Sequence, residues 1–293
     1  MTDKTELELV EEETEEAFPV THLFAPRWYL NGFPKSGTHL LVSMLLPQAR
    51  AMPPMQFHPK EWVGTFQFHS WSEEWGDIRR ICYSLGHLRP GHYYKGHCGH
   101  TPELAGFLWR LGVAHVFIHR DLRDVAVSQA HHILSDKKNW KHPEKDAYQA
   151  LGGFDEALEA VIVGLETEKT YYPGVVGRWV HYAPWLEEDW VLPVRFRDLR
   201  QEPVVWAGRI LEYGLWRLAD TWGLELIKPG EAFEGVTQEM AESSQNTGDS
   251  PTFRKGNVGD WQDVFTERHR RLFKESDTDD WLVKLGYETS ADW

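Results

Sequence analysis

A single α/β domain built on a central parallel sheet flanked by helices is the fold class this sequence predicts, and three observations predict it. Strand-like runs alternate with helical ones, as in Trp28–Phe33 followed by a helix from Thr38, and Ala114–His119 followed by a helix near Leu122. Such alternation builds parallel sheets with helices on both faces. Polar residues follow the ends of three strands, Lys35, His97 and Arg120, and that is where open α/β sheets bind ligands. Finally, 293 residues with 41% hydrophobic and 13% aromatic content suffice for one packed core, and no linker is long enough to divide the chain.

Taken in order, the chain opens with eight acids against one lysine in residues 1–16, a net charge of −7 out of −14 overall. With so little apolar content this segment reads as a disordered tail, residues 1–20, preceding a domain over 21–293. Trp28 to Phe33 is a strand that turns at Pro34, and the helix from Thr38 carries Leu41, Met44, Leu45 and Leu46 along one side. The junction, Phe33-Pro34-Lys35-Ser36-Gly37-Thr38-His39, has the parts of an anion cradle. The first N–H groups of a helix have no internal partner and lie at its positive end. Lys35 adds a full charge, Ser36 and Thr38 add hydroxyl donors, and Gly37 lets the backbone approach an oxyanion. Gly-x-x-x-x-Gly-Lys-Ser/Thr is absent, which disfavours a Mg-nucleotide kinase.

Residues 52–90 read as irregular, with aromatics from Phe57 to Trp75 suited to the wall of a pocket. His92 to His97 is a short strand. Thr101-Pro102-Glu103 caps a helix that runs to Leu111 and stops at Gly112. The strand Ala114–His119 passes through Arg120-Asp121 into a helix whose core positions include Val125, Val127 and Ile133. Further helices are expected near Asp155–Ile162, Val175–Leu186, Val204–Trp222 and Thr266–Lys274, with a strand over Trp190–Phe196 and weak patterning over Gly230–Pro251. Two cysteines, Cys82 and Cys98, make a disulfide framework implausible and suit a reducing compartment. No signal peptide or membrane-spanning run is evident. The acidic balance argues against nucleic acid as a partner, so a soluble cytoplasmic protein is expected.

Three stretches resemble the motifs of one family, the sulfotransferases that use 3′-phosphoadenosine 5′-phosphosulfate (PAPS). Phe33-Pro34-Lys35-Ser36-Gly37-Thr38 is similar to the family's 5′-phosphosulfate loop. Arg120-Asp121-Leu122-Arg123-Asp124-Val125-Ala126-Val127-Ser128 resembles its 3′-phosphate motif, with Arg and Ser eight residues apart. Arg254-Lys255-Gly256-Asn257-Val258-Gly259-Asp260-Trp261 resembles its C-terminal Arg-Lys-Gly-x-x-Gly-Asp-Trp element. The resemblance implies that Lys35, Ser36, Gly37, Thr38 and His39 hold the 5′ end of PAPS. It implies likewise that Arg120, Ser128, Arg254, Lys255 and Gly256 hold the 3′-phosphate. Lys95-Gly96-His97 resembles the family's Lys-Thr-His segment, placing the catalytic base at His97 with Lys95 assisting; His100 is the rival base. Lys35 is expected on the leaving group, with Ser128 restraining it until an acceptor binds. No metal is required, and none of the sequence has metal-ligand spacing.

The departures are specific. Phe196 stands where the family has an adenine-side tyrosine, Leu40 where it has a tryptophan, and Gly96 where it has a threonine. Of the family's dimer motif only Thr266 matches within Gln262–Arg271, so the usual dimer is not expected. The acceptor expected is a small molecule, neutral or cationic given the acidic surface, sulfated at a hydroxyl or an amine, with release of 3′-phosphoadenosine 5′-phosphate (PAP). The competing readings are a P-loop-like nucleotide kinase and a non-catalytic PAPS- or PAP-binding module.

Overall fold

The computed structural model describes residues 26–51, 65–68, 78–88, 90–135, 142–168, 171–223, 231–245 and 256–293. The acidic tail, most of the Phe57–Trp75 aromatic stretch, and Arg254 and Lys255 lie outside these residues.

The chain enters the sheet as β1 (Trp28–Gly32), turns, and forms α1 (Thr38–Ala51). Next come β2 (Thr65–Phe68), α2 (Ile78–Gly86), β3 (Tyr93–Cys98), α3 (Pro102–Leu111), β4 (Ala114–His119) and α4 (Leu122–Leu134). Two shorter helices, α5 (Lys145–Gln149) and α6 (Phe154–Val163), lead to an antiparallel hairpin of β5 (Gly164–Glu166) and β6 (Tyr171–Pro173). After α7 (Val175–Trp179), the chain returns to the sheet as β7 (Leu192–Arg195) and continues through α8 (Phe196–Gln201), α9 (Pro203–Trp222) and α10 (Glu231–Gln245). The described chain ends in α11 (Trp261–Val264), α12 (Glu267–Ser276) and α13 (Trp281–Lys284).

The five-stranded sheet has the order β2-β3-β1-β4-β7 and every pairing in it is parallel. Because β3 lies on one side of β1 and β4 on the other, strand order reverses at β1, and the carboxyl ends of the three strands form a crevice there. Side chains alternate across the sheet, so Trp28 and Leu30 enter one core layer with α1 and α9 while Tyr29 enters the other with α3, α4 and α6.

Several elements match the sequence reading to the residue. Thr101 accepts a bond from the Leu104 N–H, and Gly112 closes α3 in the left-handed region at φ 67°. Elsewhere the structure differs. The expected helix over Val175–Leu186 breaks after Trp179 and resumes as a 3₁₀ turn, Ala183–Leu186, with Pro184 in its first turn. The strand expected to reach Phe196 stops at Arg195, and Phe196 opens α8. The weakly patterned Gly230–Pro251 segment contains α10, and the irregular stretch before Tyr93 holds β2 and α2. His97 is the penultimate residue of β3 rather than just beyond it.

Candidate active site

The junction after β1 is shaped by two residues with positive φ, Lys35 at 71° and Gly37 at 103°. A non-glycine residue there is uncommon and costs energy, so the turn is held by its surroundings. The Ser36 N–H donates to Phe33 O at 3.0 Å, while the Gly37 carbonyl receives the first bond of α1 from Leu40 N at 2.8 Å. Gly37 has a second role. A β-carbon there would come within 2.6 Å of the Phe196 ring, which is packed against the loop. Ser36 and Thr38 are buried, and neither hydroxyl has a hydrogen-bond partner among the described residues. Buried hydroxyls are normally satisfied. Two such groups at a helix N-terminus make the loop fit an oxyanion.

On the neighbouring strand β3, His97 places Nδ1 2.8 Å from the Gly32 carbonyl. A carbonyl only accepts, so Nδ1 carries the proton and Nε2 is left with the lone pair. Burial, followed by the charges of Lys95 and Lys35, pushes the His97 pKa down to about 4, against the bond to Gly32, which raises it. The ring is therefore neutral at pH 7 and able to take a proton. Lys95 is buried with its own pKa lowered by desolvation, and its Nζ lies 3.4 Å from His39 Nε2. His39 is likewise held down to about 4 by burial and then by Lys95, His97 and Lys35. Lys35, His39, Lys95 and His97 thus form one electrostatically coupled group at the ends of β1 and β3.

The rival base is engaged elsewhere. His100 Nε2 pairs with Glu188 at 2.8 Å, its ring packs edge-on to Trp185, and its backbone N–H bonds to His181 O. The Thr-to-Gly departure at Gly96 also has a steric reason. A β-carbon there would lie 2.4 Å from the Tyr29 hydroxyl oxygen, because Tyr29 on β1 occupies that space. Asn31 ties the two strands at the same level, exchanging bonds with the Cys98 carbonyl and N–H at 3.0 and 2.9 Å.

Arg120 follows β4, where the sequence places it. It is buried, donates to Asp124 Oδ2 at 3.2 Å and to the Asn257 carbonyl, and lies 4.5 Å over the Phe196 ring. Its Nε has no partner. Phe196 therefore touches both the Gly37 turn and Arg120, joining the two halves of the crevice. Ser128 lies two turns into α4 and is partly buried. Gly256, at φ 63°, begins the described part of the C-terminal element.

Sequence reasoning offers Asp124 only as a carboxylate that, like Asp121, could pair with Arg120, and it does not single out Arg123; the structure forms the Arg120–Asp124 pair. The Asp124 carboxylate, 1% exposed, receives the Gly259 N–H at 2.9 Å and the Trp261 N–H at 3.1 Å as well as Arg120. It fastens the Gly259-Asp260-Trp261 turn to the start of α4. Arg123 supports the same turn from beneath. It lies between the Trp261 and Trp293 rings at 3.7 and 4.4 Å, paired with Asp121 and Glu288. The motif supplied the clue: two acids beside two arginines exceed what one phosphate contact requires.

With the geometry in place, comparisons with known proteins agree on its kind. The sulfotransferase domain model matches residues 100–278, more than half of the chain. That span contains Arg120, Ser128, Phe196 and the Gly256–Trp261 element but neither Lys35 nor His97. Two Arabidopsis thaliana relatives are similar: cytosolic sulfotransferase 17, 26% identical over 52% of this chain and 44% of its own length, and cytosolic sulfotransferase 16, 25% identical over 53% and 46%. The match thus spans under half the length of these curated relatives. The mouse sulfotransferase SULT7A1, crystallised with PAP, shares the fold with a TM-score of 0.53 at 17% identity, over 93% of this chain and 90% of that one. By the domain match, on a sheet whose crevice carries the matching elements, the chain belongs to the sulfotransferase domain family.

Proposed function

We propose that this chain is a PAPS-dependent sulfotransferase that moves a sulfuryl group to a hydroxyl of a small-molecule acceptor and releases PAP. The observation that carries the reading is the pairing of two donor clusters across one crevice, with an unprotonated histidine beside the Lys35 loop. Lys35 to His39 would hold the 5′-phosphosulfate, with Ser36 and Thr38 supplying hydroxyls that have no protein partner. Arg120, Ser128, Arg254, Lys255 and Gly256 would hold the 3′-phosphate, and Phe196 would stand on the adenine side. When bound, PAPS supplies a sulfuryl group already attached to a good leaving group, a phosphate.

The residues then divide the work. His97 takes the acceptor's hydroxyl proton at Nε2 while the acceptor oxygen bonds to sulfur and the sulfur–oxygen bond to the phosphate breaks. Lys35 and the first N–H groups of α1 meet the negative charge that the departing phosphate oxygen gains. Burial keeps His39 and His97 neutral, and Lys95 adds to this effect and supplies positive potential at the same end. Ser128 restrains Lys35 until an acceptor is in place. The names of the plant relatives and the lack of a disulfide between Cys82 and Cys98 support a cytoplasmic site of action. Among the described residues no helix is long and apolar enough to cross a membrane.

Thermal denaturation with PAP, ATP–Mg²⁺ and AMP tests the reading. Ligands that bind only the native state raise Tm, and a hundredfold excess over Kd is worth about 2.7 kcal/mol. PAP should stabilise strongly and the other two weakly. Equal shifts from PAP and AMP would refute the second phosphate site, and a preference for ATP–Mg²⁺ would favour a kinase. An acceptor library with PAPS, read by mass spectrometry for sulfate transfer, then separates an enzyme from a binding module.

A further inference from the structure

Behind the crevice, on the side of β1 that faces α4 and α7, lies a polar cluster that the transfer chemistry does not use. Arg178 on α7 is 1% exposed and has no carboxylate partner among the described residues. Its Nη1 donates to the Tyr172 hydroxyl at 3.1 Å, whereas Nε and Nη2 have no hydrogen-bond partner among the described residues. Those two nitrogens form one edge of the guanidinium, with parallel N–H groups spaced to grip both oxygens of a carboxylate.

The neighbours are unsatisfied in the same way. Gln129 of α4 donates to the Tyr172 hydroxyl at 3.1 Å, leaving its Oε1 without a partner, and the buried Tyr148 hydroxyl has none. Leaving a buried guanidinium uncompensated is costly, and natural interiors avoid it. The cluster is also close to the reacting centre. The Arg178 guanidinium lies 5.7 Å from the Phe33 ring, and Phe33 adjoins both Lys35's turn and Gly32, whose carbonyl holds His97. Phe33 packs against Tyr182 at 5.1 Å, and the Tyr182 hydroxyl donates to the His97 carbonyl. Outward, the cluster ends at Tyr172 of the β5–β6 hairpin, where the adjacent Tyr171 is 64% exposed.

We propose that Arg178, with Gln129 and Tyr148, is an acceptor subsite that binds a carboxylate, so that the preferred acceptor is a hydroxy acid. The identification of the ligand as an acceptor rests on the sulfuryl-transfer reading; the carboxylate preference rests on the cluster alone. Net acidity of the chain, which suggested a neutral or cationic acceptor, does not oppose this. Half of that charge lies in residues 1–16, and charges across solvent are screened within about 8–10 Å, so the local guanidinium decides.

The test is calorimetric titration of the full chain with benzoate and with its uncharged isostere benzamide, at fixed ionic strength, with and without PAP. Benzoate should bind saturably and benzamide at least about tenfold more weakly, as expected for losing a charged hydrogen bond. Arg178→Met should weaken benzoate by about ten- to a hundredfold while leaving PAP affinity unchanged. Its Tm should hold or rise, since it removes a buried charge without a partner. Arg178→Lys keeps the charge but not the two-pronged edge, and should bind benzoate several-fold more weakly than the parent. The proposal is overturned by equal binding of the two probes, by absence of saturable benzoate binding, or by benzoate affinity unaltered in Arg178→Met. Collapse of the fold in both variants would also overturn it, by making Arg178 structural. Failure of the parent chain to bind PAP would instead strike at the sulfotransferase reading, and the benzoate arm would still decide the carboxylate site.

Discussion

Replacing Asp124 by alanine should damage recognition of the 3′-phosphate although Asp124 need not touch the nucleotide. Three donors converge on its carboxylate: Arg120 at 3.2 Å, Gly259 N at 2.9 Å and Trp261 N at 3.1 Å. Burial pushes the Asp124 pKa up, and the Arg120 charge and the two backbone donors oppose part of that rise. The substitution leaves two N–H groups unpaired and removes one anchor of Arg120, which keeps its bond to the Asn257 carbonyl. Breaking a buried pair of this kind costs about 3–5 kcal/mol. At about 2–4 °C per kcal/mol for a domain near this size, Tm should fall by roughly ten degrees. The Arg120 guanidinium and the Gly256–Trp261 turn would then no longer be held in register. Affinity for PAP should drop about ten- to a hundredfold, the worth of one charged hydrogen bond. A purely structural role would lower Tm but treat all nucleotides alike. The assay is therefore calorimetry with PAP and with adenosine 5′-phosphosulfate, which lacks the 3′-phosphate, alongside thermal denaturation. Asp124→Asn, isosteric and able to accept at one oxygen, should recover part of the stability. Parallel losses for both nucleotides, or no loss for PAP, would refute the positioning argument.

Arg120→Ala should weaken PAP about ten- to a hundredfold and spare adenosine 5′-phosphosulfate; equal losses would show that Arg120 only pairs with Asp124. Transfer to a hydroxyl acceptor should fall about 10²–10⁴-fold in His97→Ala and little in His100→Ala, because His97 belongs to the group around Lys35 and Lys95 whereas His100 is paired with Glu188; the reverse order would move the base to His100. NMR titration of the unliganded protein should find His97 deprotonated down to about pH 4, and a value near 6.5 would contradict its burial. His39, His97, His119 and His142 are all depressed by burial, to about 4, 4, 3 and 4. The unfolded chain therefore takes up protons first. Stability should be complete above pH 6.5 and fall as pH drops through the window between 6.5 and about 4. A Tm that stays flat from pH 7 to pH 5 would disprove this.

What the sequence determined by itself was everything with a local cause. The Thr101 cap and Gly112 stop of α3, the buried strand Ala114–His119, and the strand–turn–helix around Lys35 each carry their signal within a few residues, through capping, periodicity or a required backbone angle. The candidate site was legible for the same reason, since Lys35, His97 and Arg120 sit at strand ends and strand ends are readable. Tertiary structure decided the rest. The helix Glu231–Gln245 has weak patterning of its own but packs beside α1, where the Ser243 hydroxyl bonds to the Ser43 carbonyl. Only the pairing of β3 with β1 shows why residue 96 is glycine, because the Tyr29 ring fills the space a side chain would need. Asp124 reads as no more than a possible ion-pair partner of Arg120 until a turn 135 residues away arrives with two N–H donors. Arg178 reads as an ordinary helical arginine until four elements close around it and leave one edge without a partner. Propensity acts between neighbours along the chain, whereas burial, pKa and hydrogen-bond satisfaction depend on what distant segments bring, and those terms make this crevice a site.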